Sequence, residues 1–146
     1  MRRIASLEPT WRLTVVGAKP EGILLPTGPN IVYVGLVDRI EPYFQAAHAM
    51  LCPVFSGTGI KTKVLTAMAF RRPVIATAVA LECIPAIDGV HVLQAETEDD
   101  FLAAMQRLVG DQTLQASLAI RAFELVRDHF SIQAISRNIA SLVVQR

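Results

Sequence analysis

The sequence carries little charge, few aromatic residues and only two cysteines among its 146 residues. Charged residues make up 18% of the chain and the net charge is +1, so it lacks the basic surplus that nucleic-acid binding requires. Cys52 and Cys83 have no metal-ligand spacing and lie in apolar stretches, which indicates buried thiols in a reducing compartment. The histidines, at positions 48, 91 and 129, are scattered without carboxylates or thiols at ligand spacing. We therefore predict no metal site.

No apolar run is long enough to cross a membrane, and no signal-peptide core follows Met1. We therefore expect a soluble, cytoplasmic protein. Hydrophobic residues nevertheless make up 52% of the chain, and its mean hydropathy is +0.41. This composition is typical of a parallel sheet covered on both faces, or of a chain with an apolar surface that docks on a partner or on the inner face of a membrane.

Short apolar runs bounded by glycine and proline alternate with segments of helical periodicity. Strands are predicted at residues 12–17, 31–35, 50–54, 73–77 and 90–93. Helices are predicted at residues 40–48, 61–70, 98–109, 113–129 and 131–145. Alternating strands and helices indicate the α/β class, as a Rossmann-like, doubly wound parallel sheet of about five strands with C-terminal helices. We expect residues 1–146 to form a single domain.

The segment between residues 53 and 69 carries the strongest functional signal. A predicted strand leads into a small-residue loop, then into two lysines, Lys61 and Lys63, and a predicted helix. The loop consists of Gly57, Thr58 and Gly59. A strand, glycine loop and helix start direct free backbone N–H groups and a helix dipole at an anion, which favours a phosphate-bearing ligand. The alternatives are a tight turn and solvated lysines. Neither a Walker A loop nor a dinucleotide-binding glycine fingerprint is present.

An ordered series of motifs across most of the chain resembles a known family. The matching segments are Val16-Gly17, Asn30 to Asp38, Pro42 to His48, Lys63 to Ala69, Pro73 to Thr77, Leu81-Glu82 and Asp88 to Leu93. The chain resembles the C-terminal half of GT-B type glycosyltransferases of the group-1 family. The resemblance implies a domain that binds a nucleoside-diphosphate sugar as donor substrate, with no further cofactor, while a separate N-terminal domain holds the acceptor.

The same resemblance implies roles for individual residues. Lys63, which matches the family position, and Lys61 would neutralise the diphosphate leaving group without a metal. Thr66 would face the ribose, and Glu82 would reach the sugar or support the loop. The nucleobase would be framed by Gly35, Leu36 and Val37. The alternatives are an ordinary helix threonine, a surface carboxylate and a plain strand-to-helix turn.

The sequence departs from the family at three places. Thr66 replaces the usual glutamate, which should weaken ribose binding by about 1–3 kcal/mol. Arg71 replaces a glycine, at a cost of roughly 1 kcal/mol if its backbone is left-handed. Residues 1–11 are too few for the strand-helix unit that opens family domains. We therefore expect a truncated half of an enzyme that is weakly active or inactive on its own.

These observations predict glycosyl transfer from a nucleotide sugar, with retention of configuration. The acceptor stays open between a sugar, a lipid-linked sugar and a small molecule. An acceptor domain on another chain and self-association through an unfinished sheet are both compatible with the sequence. One alternative function is a non-catalytic, degenerate module for protein–protein interaction. Another is a different nucleotide-binding α/β domain, which the missing glycine fingerprint disfavours.

Overall fold

The structure is a computed structural model that describes residues 10–18 and 27–143. The chain divides into two compact units, Met1–Ala46 and Ala47–Arg146. Each unit is described by itself, and the assignment of residues 1–146 to a single domain stays a prediction. Most of the N-terminal segment, and the predicted end of the last helix at residues 144–145, lie outside the described residues.

The first unit contains two parallel strands and a short helix. Strand β1 (Leu13–Val16) pairs with β2 (Ile31–Gly35), and the register shifts by one residue at Val16, which lies opposite Gly35. Helix α1 (Glu41–Ala46) is shorter than the predicted segment 40–48. Both strands lie where the apolar runs predict them.

The second unit contains a three-stranded parallel sheet in the order β3-β4-β5. Strand β3 (Met50–Cys52) and β5 (Leu93–Gln94) flank β4 (Val74–Ala76), which is buried at every position. A central strand covered on both faces is necessarily a continuous apolar run, as the sequence shows. Strand β5 begins later than predicted, because residues 88–92 form a turn and a single bridge between Asp88 and Val92. Parallel strands with helices confirm the predicted α/β class.

Helices follow the strands in the second unit. They are α2 (Thr62–Ala69), a 3-10 turn (Val79–Leu81), α3 (Glu98–Gly110), α4 (Gln112–Phe130) and α5 (Ile132–Val143). Helix α2 packs against α4, and both contribute fully buried side chains to one core. The largest of these side chains, including those from the strands, are Met68, Ile75, Leu118, Val64 and Val74.

Helices α3 and α4 begin with side-chain caps. The Thr97 hydroxyl accepts from the Asp100 N–H, and the Asp100 carboxylate accepts from the Thr97 N–H at 2.9 Å, which forms a capping box. Hydrogen bonds from the Thr97 hydroxyl and backbone lower the pKa of Asp100. Asp111 caps α4 by accepting from the Leu114 N–H at 2.8 Å. The acidic residues Glu98, Asp99 and Asp100 form the first turn of α3.

Helix α2 ends in a left-handed turn at Arg71, which has a φ of +54°. The Arg71 N–H donates to the Met68 carbonyl and the Arg72 N–H to the Ala67 carbonyl, both at 2.9 Å, which is the Schellman pattern. Glycine is the usual residue here, and arginine costs about 1 kcal/mol in this conformation. The Arg71 guanidinium lies 4.5 Å from the centre of the Phe123 ring. That cation–π contact, at about 0.5–1 kcal/mol, offsets part of the cost.

The two cysteines differ in their environments. Cys52 is 1% exposed at the end of β3, as predicted. The prediction of a buried Cys83 is wrong, because this residue lies in the exposed segment after the 3-10 turn, with a φ of +63°.

The left-handed conformation of Arg71 can be tested with two substitutions. In urea unfolding, we expect the free energy of unfolding of Arg71→Gly to exceed that of Arg71→Ala by about 1 kcal/mol, because only glycine relieves the backbone strain. At Arg107, which has helical backbone in α3, the order should reverse, since glycine is the poorer helix former by about 0.5–1 kcal/mol. The same order at both positions would contradict a left-handed Arg71.

Candidate functional site

The glycine loop connects β3 to α2 and is open to solvent. Gly57 has a φ of +112° and Gly59 a φ of +80°, and both lie with Thr58 in an exposed stretch. An added Cβ at either glycine would meet nothing within 4 Å. Glycine is therefore required by the backbone conformation and not by crowding. The loop presents its backbone to the solvent, as the sequence predicts for an anion-binding loop.

The two lysines play different parts in this loop. The Lys61 ammonium donates to the Gly59 carbonyl at 2.8 Å and to the Gly57 carbonyl at 3.3 Å. It therefore stabilises the loop conformation, and these two hydrogen bonds use two of the three N–H donors of the ammonium. Lys63 is exposed in the first turn of α2. The lysine matching the family position is thus the one whose ammonium is open to solvent.

The N-terminus of α2 has no side-chain cap, in contrast to α3 and α4. Lys61 occupies the capping position in an extended conformation, and the first turn holds no acidic residue. The first N–H groups of a helix have no partner within the helix, and the dipole there favours an anion. The Val64 N–H already donates to the Lys61 carbonyl at 2.9 Å, so an acceptor from outside the helix would serve the N–H groups of Thr62 and Lys63.

Both lysines act electrostatically on the end of β3. Burial raises the pKa of the Cys52 thiol, while the positive charges of Lys63 and Lys61 oppose that increase. Because a thiolate at Cys52 would be stabilised by both ammonium groups, their fields overlap at the carboxyl end of this strand. Ligands of open α/β sheets bind at this end.

Thr66 and Glu82 are the other site residues predicted in the second unit. Thr66 is half-buried, and its hydroxyl donates to the Thr62 carbonyl at 2.9 Å, so only its acceptor capacity is left. Glu82 is exposed directly after the 3-10 turn that follows β4. Both lie on segments that follow carboxyl ends of strands in the same sheet.

Gly35, Leu36 and Val37 belong to the first unit. Gly35 ends β2 with a φ of +84°, the Leu36 side chain is 82% exposed, and Val37 is half-buried. The positive φ shows that the chain turns sharply where β2 ends. A nucleobase-framing role for these residues stays a prediction.

Two polar residues that the sequence analysis did not single out fix the carboxyl edge of the sheet. Thr77 is 0% exposed; its hydroxyl donates a short hydrogen bond to the Val54 carbonyl and accepts from the Ala80 N–H at 3.2 Å. The Glu96 carboxylate accepts from the Ala78 N–H at 2.7 Å. The role of Thr77 could have been inferred from the sequence, because a threonine there ends an apolar strand. No sequence pattern indicates the role of Glu96.

Within residues 10–18 and 27–143, no cluster of histidine, cysteine and carboxylate side chains could hold a metal ion. None of the helices described is long and apolar enough to cross a membrane.

Fold and loop together define a Rossmann-like α/β unit with an exposed glycine loop after β3, an outer strand of its three-stranded sheet. The sequence profile described as "Glycosyl transferases group 1" matches residues 1–111. The chain belongs to this glycosyltransferase family, as its motifs suggest. No curated protein matches the chain by sequence.

Several solved structures share the fold. HepE of Anabaena, solved with UDP, is 14% identical with a TM-score of 0.82 over 98% of this chain and 43% of its own. Sucrose-phosphate synthase of Thermosynechococcus elongatus is 24% identical with a TM-score of 0.78, over 97% and 40%. The C-terminal domain of LpcC, a group-1 family protein from Francisella tularensis, is 22% identical with a TM-score of 0.62, over 71% and 55%. The chain thus spans about half, or less, of these proteins.

The role of Thr77 in holding the loop can be tested by removing its hydroxyl. We expect Thr77→Val to lower the free energy of unfolding by about 1–3 kcal/mol, because it removes a fully buried hydroxyl and leaves the Val54 carbonyl without that partner. Amide hydrogen exchange in residues 54–60 should accelerate as well. Thr66→Val, which removes an accessible hydroxyl, should change stability by less than about 0.5 kcal/mol. Equal effects at both positions would contradict this role.

Proposed function

We propose that this chain is the donor-binding part of a GT-B type glycosyltransferase. It binds the diphosphate of a nucleotide sugar at the glycine loop and transfers the sugar to an acceptor with retention of configuration. The observation that carries the proposal is the uncapped start of α2, which follows a loop with positive φ at Gly57 and Gly59. Family membership supports the same reaction class.

In the proposed reaction, the bond between the anomeric carbon and the β-phosphate oxygen breaks, the acceptor hydroxyl oxygen forms the new bond to that carbon, and the hydroxyl proton passes to the departing diphosphate. Negative charge grows on the departing diphosphate. Lys63, whose ammonium is exposed beside the loop, stabilises that charge, and Lys61 keeps the loop carbonyls turned toward its own ammonium. The helix dipole of α2 adds to the stabilisation. These groups supply the positive charge without a metal.

Thr66 and Glu82 complete the proposed donor site in the second unit. The Thr66 hydroxyl already donates within α2, so it accepts a hydrogen bond from a ribose hydroxyl instead of donating one. Glu82 is exposed after the 3-10 turn and contacts the sugar. A nucleobase-framing role for Gly35, Leu36 and Val37, which belong to the first unit, rests on the family resemblance alone. Because HepE was solved with UDP and with UDP-glucose, a uridine donor is the first to test.

A non-catalytic interaction module is the second candidate. Helix α5 exposes an apolar stripe, with Ile132 81%, Ile135 46% and Ile139 57% accessible. Apolar surface of this kind suits contact with another chain. Binding of nucleotide separates the two candidates, since the interaction module has no need of it.

Nucleotide binding by the loop can be measured by calorimetry with UDP and GDP. We expect Lys63→Gln to weaken binding at least about tenfold, because a hydrogen bond to a charged group is lost. Arg107→Gln, which removes an exposed positive charge on α3, should leave the affinity unchanged. Absence of binding by the unmodified protein at millimolar nucleotide would favour the interaction module.

The ribose contact at Thr66 can be tested by restoring the family's carboxylate. We expect Thr66→Glu to bind UDP about tenfold more tightly, since a carboxylate accepts from ribose hydroxyls more strongly than a neutral oxygen does. Thr66→Gln, of the same length but neutral, should gain little. If the two variants bind UDP equally, residue 66 does not face the ribose.

A further inference from the structure

A small basic cavity lies at the amino edge of the second unit's sheet. His48 precedes β3, while Arg71 and Arg72 precede β4, and all three line a cavity of about 160 Å³ together with Gln115 of α4. Since β3 and β4 are parallel, these residues lie at the sheet edge opposite the glycine loop, which follows β3. The cavity is therefore separate from the proposed donor site.

Arg72 has an unsatisfied donor beside this cavity. One of its terminal nitrogens donates to the Ala47 carbonyl at 3.2 Å, which anchors the guanidinium. Its Nε is buried and has no hydrogen-bond partner among the described residues. A buried N–H of a charged group without a partner is costly, and an unseen ion or water is a common explanation.

The guanidinium of Arg71 is held in place by an aromatic ring. The face of Phe123 lies 4.5 Å from its guanidinium carbon, so the guanidinium is oriented by the ring and not by a carboxylate. Among the described residues, neither Arg71 nor Arg72 forms an ion pair, and no acidic side chain lines the cavity. Two guanidinium groups thus share a small space with no negative charge to balance them.

The other polar groups of the cavity are also able to donate. Gln115 lies near the start of α4, where the helix dipole is positive, and its amide has two N–H donors. The imidazole of His48 has at least one N–H donor in either protonation state. Proline and alanine form the remaining wall. Paired guanidinium groups with neutral donors around them match the geometry of a tetrahedral oxyanion.

We propose that this cavity binds a phosphate group, as free phosphate or as the headgroup of an anionic lipid. A volume of about 160 Å³ is enough for one phosphate group. The phosphate oxygens accept from the Arg72 Nε and from the Arg71 guanidinium. This site is independent of the proposed donor site at the glycine loop.

The experiment follows the Arg72 Nε–H resonance by NMR during titration with inorganic phosphate at constant ionic strength in chloride. We expect a saturable shift that chloride alone does not produce. Arg71→Gly should weaken the affinity at least about tenfold, and it should fold because glycine suits the left-handed backbone. Arg107→Gln and Lys63→Gln should retain the affinity of the unmodified protein. Arg72→Lys is a second variant, and its binding of phosphate is measured by a thermal-shift titration.

A second arm distinguishes the two sources of phosphate. Flotation with phosphatidylglycerol vesicles, compared with phosphatidylcholine vesicles, reports binding to anionic lipid. If the protein floats with phosphatidylglycerol vesicles and Arg71→Gly does not, the ligand is a lipid headgroup. If phosphate shifts the Arg72 Nε–H resonance but the protein does not float with the vesicles, the ligand is free phosphate. The proposal is overturned if neither ligand binds, or if Arg71→Gly and Arg72→Lys bind both as well as the unmodified protein.

Discussion

The Thr77 hydroxyl joins the two chain segments that leave the carboxyl ends of β3 and β4. It donates to the Val54 carbonyl on one side and accepts from the Ala80 N–H on the other, without contact with solvent. Backbone groups just beyond a strand lose their ladder partners, and burial makes an unpaired group expensive. Because it pairs with a backbone group of each segment, Thr77 fixes where the glycine loop begins. The open loop is thus built on a buried, fully paired base.

Much of the fold could be predicted because its signals are local. The strands at residues 31–35 and 73–77 are apolar runs bounded by glycine or proline, and the start of α3 is marked by Thr97 and the acidic residues after it. Local signals fail where tertiary pairing decides. Strand β5 begins at Leu93 because that residue pairs with Ile75, and the apolar residues before it form a turn. Cys83 is exposed although it lies in a largely apolar stretch, since the chain turns there with positive φ.

The candidate site was predictable in composition but not in detail. Gly57 and Gly59 mark a loop in the sequence, and both have the positive φ that only glycine adopts easily. The sequence could not show that Lys61 binds the loop carbonyls, because only the folded loop brings these carbonyls to its ammonium. Glu96 reaches Ala78 across 18 residues of chain, a contact that no local pattern encodes.

Helix α2 carries a basic feature at each end, and its length determines whether the two interact. Lys63 lies in its first turn and Arg71 directly after its end, and the helix has eight residues, so the two ends are about 12 Å apart. Screening at physiological ionic strength acts over about 8 Å, so anions at the two proposed sites would repel each other only weakly. The helix dipole would favour an anion at the N-terminal site and oppose one at the C-terminal site, where the arginines would have to provide the attraction themselves. The charges differ accordingly: two guanidinium groups lie at the C-terminal end, and the ammonium groups of Lys61 and Lys63 lie at the N-terminal end.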